Sequence, residues 1–191
     1  MKILSKSRKA VYRIYDLVDV LSEQLCRMDP YWKKCFPCNN NGICCKNVDI
    51  PLYGVEWVLV SEYLRNLLTE DVQMIQNNLR NNIKCPFRLS SKCAVHSVRP
   101  LYCRITPFYA TYHEQSTEIE VMYPSKNCTF VRQRYLRVTD RMPQLFERLG
   151  ERYFIVLSEV IGKSPEMRLL ESSGKQYLSQ LLDNFCHINI L

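Results

Sequence analysis

Eight cysteines crowd into two stretches of this chain, and no other feature limits its fold as much. The first stretch reads Cys35-Phe-Pro-Cys38, then five residues, then Cys44-Cys45. The second holds Cys85, Cys93, Cys103 and Cys128, separated by seven, nine and 24 residues. A chain of 191 residues buries enough apolar surface to fold without covalent staples. Clustered thiols in such a chain need a chemical reason: disulfides in an oxidising compartment, or metal ligands in a reducing one. The N-terminus decides. Met1-Lys2-Ile3-Leu4 runs straight into Ser5-Lys6-Ser7-Arg8-Lys9, too polar for the apolar core of a secretory signal. Nor does any run of about 18 apolar residues read as a membrane span. The expectation is a cytoplasmic protein with reduced thiols.

A Cys-x-x-Cys turn sets two thiolates on one side of a tight loop, where both reach one metal at about 2.3 Å. Four thiolates complete a zinc site or bind an iron–sulfur cube. Eight suffice for two such sites, or for one with spare thiols. In extended backbone the side chains of Cys44 and Cys45 point to opposite faces, so the two are expected to serve different roles. Four thiolates on Zn²⁺, or on an oxidised four-iron cluster, carry a net charge of about −2. Lys46, Lys92, Arg99 and Arg104 flank the cysteines and offset that charge without separating zinc from iron. Cys26 and Cys186 stand alone on helices and read as small buried apolar residues.

Charge and periodicity place the rest. The net charge of +7 has no dense basic tract, so it reads as a solvated surface, with nucleic acid an unfavoured partner. Val11, Ile14, Tyr15, Val18, Leu21 and Leu25 predict a helix over 5–28. Val48, Ile50 and Leu52 alternate as a short strand. Two helices follow, one over 55–67 and one after Thr69, with Thr69 as cap and Glu70 and Asp71 at the positive end of its dipole. Glu56 reads as dipole compensation at the start of its helix. Residues 109–112 and 118–123 predict a hairpin. Leu145 to Val160 make a helical stripe ending near Gly162, Ser164-Pro165 opens another helix, and Tyr177, Leu178, Leu181, Leu182 and Phe185 form a last stripe.

Cys38…Gly42-Ile43-Cys44-Cys45, Cys85-Pro86-Phe87, the run Cys93-Ala-Val-His96-Ser-Val-Arg99-Pro100-Leu101-Tyr102-Cys103-Arg104…Pro107-Phe108, and Asn127-Cys128 together resemble the CxxCxxCC cysteine-cluster family, a zinc- or iron-chelating domain. The match covers roughly residues 35–130, and its second segment is the more specific. Asn41 stands where the family pattern has a cysteine before Gly42, so either Cys35 is displaced or residues are inserted after Cys38. The resemblance implies metal binding more strongly than any reaction. A similar cysteine segment occurs in bacterial flagellin lysine methylases.

The expected fold is α+β and mainly helical, with an irregular cysteine-rich centre and a small antiparallel hairpin. The expected organisation is a helix over 1–34, the chelating domain over 35–130 and a helical segment over 131–191. The candidate metal ligands are Cys35, Cys38, Cys44, Cys45, Cys85, Cys93, Cys103 and Cys128, with Arg99 and Arg104 toward the cofactor, zinc or an iron–sulfur cluster. Arg99 precedes Pro100 and should be extended. His96 reads as structural rather than as a ligand. The function expected first is metal binding. The alternatives are an iron–sulfur-dependent protein-modifying enzyme or oxidoreductase, with a protein as substrate, and a zinc-stapled module that docks a protein partner. The Cys-x-Pro-Cys element lacks a following helix, which counts against dithiol redox catalysis. No Gly-rich phosphate loop, serine nucleophile elbow or zinc-protease motif is present.

Overall fold

A computed structural model describes residues 2–28, 45, 48–90, 92–106, 108–113, 116–121 and 155–186. Six α-helices and four strands are described. Helix α1 (Lys2–Met28) carries its apolar stripe as the spacing predicts, with Val11, Ile14, Tyr15, Val18 and Leu21 all buried. Strand β1 (Pro51–Tyr53) leads directly into α2 (Gly54–Leu64). The ladder starts at Pro51, so Val48 and Ile50 lie outside the strand. Helix α2 also stops earlier than its apolar run, at Leu64.

Helix α3 (Thr69–Arg80) begins with Thr69 already helical and Leu68 as its cap, so Thr69 does not cap it. Glu70 and Asp71 do occupy the first turn. The described residues of 81–90 and 92–100 are mostly turns, with a bridge between Arg88 and Cys93 and a 3₁₀ turn at His96–Val98. They lead to the short helix α4 (Leu101–Ile105). Strands β2 (Phe108–His113) and β3 (Ser116–Val121) form the expected hairpin, paired from Phe108↔Val121 to His113↔Ser116.

A π-helical segment spans Ile155–Gly162, and the stripe expected before residue 155 lies outside the described residues. Helix α5 (Pro165–Ser172) starts as Ser164-Pro165 predicts. The Ser164 hydroxyl accepts from Met167 N at 3.0 Å. Strand β4 (Lys175–Tyr177) pairs antiparallel with β1 in the register Leu52↔Gln176, and α6 (Leu178–Cys186) follows. Tyr177 therefore sits half-exposed in a strand instead of on the last apolar stripe. The fold is α+β: mostly helical, with two small antiparallel sheets.

Two apolar clusters build the core. One joins α1 to Tyr53, Val55, Leu59, Leu101, Met167 and Leu170. The other joins Leu52, Val60, Leu64 and Ile75 to Cys85, Phe87, Val95 and the α6 residues Leu178, Leu181 and Leu182. Helix α2 contributes to both, which explains why its sequence is apolar on more than one face. No described helix is long and apolar enough to cross a membrane.

Candidate metal centre

Segment 85–104 brings three thiols into one neighbourhood. Cys85 is buried, and Cys93 and Cys103 are half-buried. Burial is the main cause that raises all three thiols above the ordinary cysteine range. They also act on one another. Charge on Cys93 adds to burial at Cys85, whose pKa is pushed up to about 12. Charge on Cys85 and on Cys93 raises Cys103 further. Without a compensating cation, thiolates so placed oppose one another.

The local backbone favours thiolates. The turn after Cys85 directs the N–H groups of Phe87 and Arg88 to its sulfur, and Val95 N–H does the same for Cys93. Such bonds stabilise a charged sulfur and hold its direction. The Arg88–Cys93 bridge and the bond from Ala94 N to Phe87 O, 2.8 Å, lock the two turns together. Arg99 opposes the burial effect at Cys93 and at Cys103, so its guanidinium is the nearby countercharge.

Cys45 packs half-buried against the apolar cluster that contains Cys85 and that Cys93 also lines. Cys35, Cys38, Cys44 and Cys128 lie outside the described residues. Among the described residues, no three His, Cys, Asp or Glu side chains stand close enough together to hold a metal ion. Cys26 is buried on α1, as a small apolar residue would be.

The arginines divide their work. Arg99 is extended ahead of Pro100 (φ −56°, ψ 137°), as the proline requires. Its Nη1 donates to His96 Nε2 at 2.9 Å, so His96 is neutral there, with its proton on Nδ1. Partial burial, then Arg99 and Arg104, hold His96 below its usual pKa. Arg99 Nη2 lies 3.9 Å from Asp19 Oδ1, too far for a hydrogen bond, and its buried Nε has no hydrogen-bond acceptor among the described residues. Arg104 spends its donors on the frame. Nε reaches Arg99 O at 3.0 Å, Nη2 reaches Ser97 O at 2.8 Å and Nη1 reaches Asp19 Oδ2 at 2.6 Å. Its guanidinium lies 3.9 Å from the centre of the Tyr15 ring.

Glu56 is more than a compensated helix end. It is fully buried and joins three elements. Its Oε1 accepts from Tyr15 OH at 2.8 Å and from Leu101 N at 2.7 Å, and its Oε2 accepts from Tyr53 N at 2.9 Å. Burial raises its pKa despite the three donors and nearby Arg104, which pull the other way. The signal in the sequence was an acid inside the run Gly54-Val-Glu-Trp-Val-Leu-Val. Tyr15 and Asp19 left no comparable signal. Periodicity gives the face of a helix and not its partner.

Between α1 and residues 96–104 lies a cleft of about 640 Å³. Tyr12, Tyr15, Asp16, Asp19 and Glu23 form its α1 side, and His96, Arg99 and Arg104 face them.

The thiol-bearing segment falls inside a family match. The model of the CxxCxxCC family, described as a putative zinc- or iron-chelating domain, covers residues 34–134, more than half of the chain. The chain belongs to that family. No curated protein and no solved structure matches it.

The donor set fits the family's chemistry. Thiolates suit zinc and iron alike. The same residues leave a buried N–H of Arg99 without an acceptor, near Cys93 and Cys103.

Proposed function

We propose that the chain coordinates zinc or an iron–sulfur cluster through thiolates, with Cys85, Cys93 and Cys103 drawn together by the metal from the neighbourhood they share. One observation carries this reading: three thiols withdrawn from water share one electrostatic neighbourhood, and two of them receive backbone N–H bonds. A bound cation would turn the repulsion among those thiolates into attraction. Among the described residues, Cys45 is the candidate fourth donor, on the strength of its packing against the cluster that holds Cys85. Cys35, Cys38, Cys44 and Cys128 complete that centre or build a second one. In this reading Arg99 lowers the net charge of the centre, and Arg104 acts through the backbone that carries Cys103.

Elemental analysis and an absorbance spectrum of protein purified without oxygen test the proposal. A cluster gives brown protein absorbing near about 400 nm. Zinc gives colourless protein with stoichiometric metal. Protein that binds neither zinc nor iron, and whose thiols all react freely with a thiol reagent, overturns the reading.

A second reading has the centre serve an enzyme that modifies a protein or transfers electrons. The cleft beside residues 96–104 favours it, since such chemistry needs a pocket near the metal. Turnover that requires the loaded metal would support it.

A further inference from the structure

The cleft between α1 and residues 96–104 has two sides of opposite charge. Tyr12, Asp16, Asp19 and Glu23 follow at steps of four, three and four residues, so they share one face of α1, and all are exposed. Across from them stand Arg99 and Arg104. Arg104 is fully engaged with Ser97, Arg99 and Asp19. Arg99 is not. Among the described residues it makes one hydrogen bond, to His96, and its Nη2 forms a long ion pair with Asp19 Oδ1 at 3.9 Å, without a hydrogen bond. Its side chain is only 15% exposed, so water does little to replace the missing acceptors.

Charge balance restricts what binds there. A bare anion drawn to Arg99 meets three carboxylates on α1. A bare cation drawn to those carboxylates meets two guanidinium groups. A small molecule carrying both charges satisfies both sides. Tyr12, exposed and edge to face with the buried Tyr15 at 6.4 Å between ring centres, adds an aromatic surface.

We propose that this cleft is a binding site for a free α-amino acid. The ligand carboxylate is held by Arg99 Nη2, its ammonium group by the carboxylates of Asp16 and Asp19, and its side chain against Tyr12. The site shares Arg99 with the thiol neighbourhood and does not depend on which metal the thiols hold.

Isothermal titration of the full chain with phenylalanine tests this, with acetate and methylammonium as singly charged controls. The expected result is saturable phenylalanine binding, with no binding of either control at the same concentrations. Asp16→Asn and Arg99→Gln each weaken phenylalanine binding about tenfold, as loss of one charge-assisted hydrogen bond should. Asp16 is exposed, so its variant reads binding even where Arg99→Gln disturbs folding. The proposal is overturned if phenylalanine does not saturate, if acetate or methylammonium binds as tightly, or if Asp16→Asn leaves the affinity unchanged.

Discussion

A thiol whose ionisation is suppressed by burial gives up its proton only when a cation takes its place. Cys85, pushed up to about 12, and Cys93 and Cys103, raised in the same direction, are protonated at neutral pH in the metal-free chain. Metal uptake must then release protons. Zinc added to metal-free protein in weak buffer should acidify it by about one proton per ligating thiol, and zinc affinity should fall as pH drops. A pH electrode and a competing chelator measure both. Cys93→Ser and Cys103→Ser should each lower metal content, whereas Cys26→Ser should not. Glu56 makes a different test. Its pKa is raised in the fold, so in the pH window above the ordinary carboxylate range the folded state binds more protons than the unfolded state. Stability from this group is therefore present at low pH and is lost as pH rises through the folded-state value. In Glu56→Gln one amide N–H₂ meets a donor where Oε2 accepted from Tyr53 N, at a cost of about 1–3 kcal/mol. Denaturant unfolding across that window should show the loss and a flatter pH profile in the variant.

At the scale of elements, close backbone approach matters more than side-chain size. Gly54 opens α2 with its N–H bonded to Gly174 O at 2.9 Å. A Cβ there would lie 2.4 Å from Ser173 O, which belongs to backbone and cannot swing aside. Gly54→Ala should destabilise by about 1–3 kcal/mol, read as a lower denaturant midpoint with an unchanged slope. Ser164→Ala, which removes the α5 cap, should cost about 1 kcal/mol. What the sequence disclosed follows the same division. The α1 stripe, the hairpin, the extended Arg99 and the Ser164-Pro165 start were legible because each is set within a few neighbouring residues. Thr69 as cap failed because the chain enters the helix one residue earlier, at Leu68. Strand β4 and the exposure of Tyr177 were hidden because pairing with β1 supplies their reason, more than 120 residues away. The motif named the thiols of segment 85–104. The three-way role of Glu56 and the Arg104–Asp19 pair needed the packing of α1, which no local pattern encodes.

Among the described residues, Cys45, Cys85 and Cys93 belong to one apolar cluster and α1 to the other, with α2 contributing to both. Metal removal should therefore loosen the two unequally. Backbone amides of residues 85–104 should exchange faster after chelation, while those of α1, held by α2 and α5, keep most of their protection. Hydrogen exchange with mass readout distinguishes this from uniform loosening. The β1–β4 ladder has a consequence for biogenesis. Leu178, Leu181 and Leu182 lie directly beyond it and help wall in Cys85. During translation the compartment around that sulfur stays unsealed until those leucines leave the ribosome, so a nascent chain still lacking them offers its thiols to oxidants and to stray ions alike.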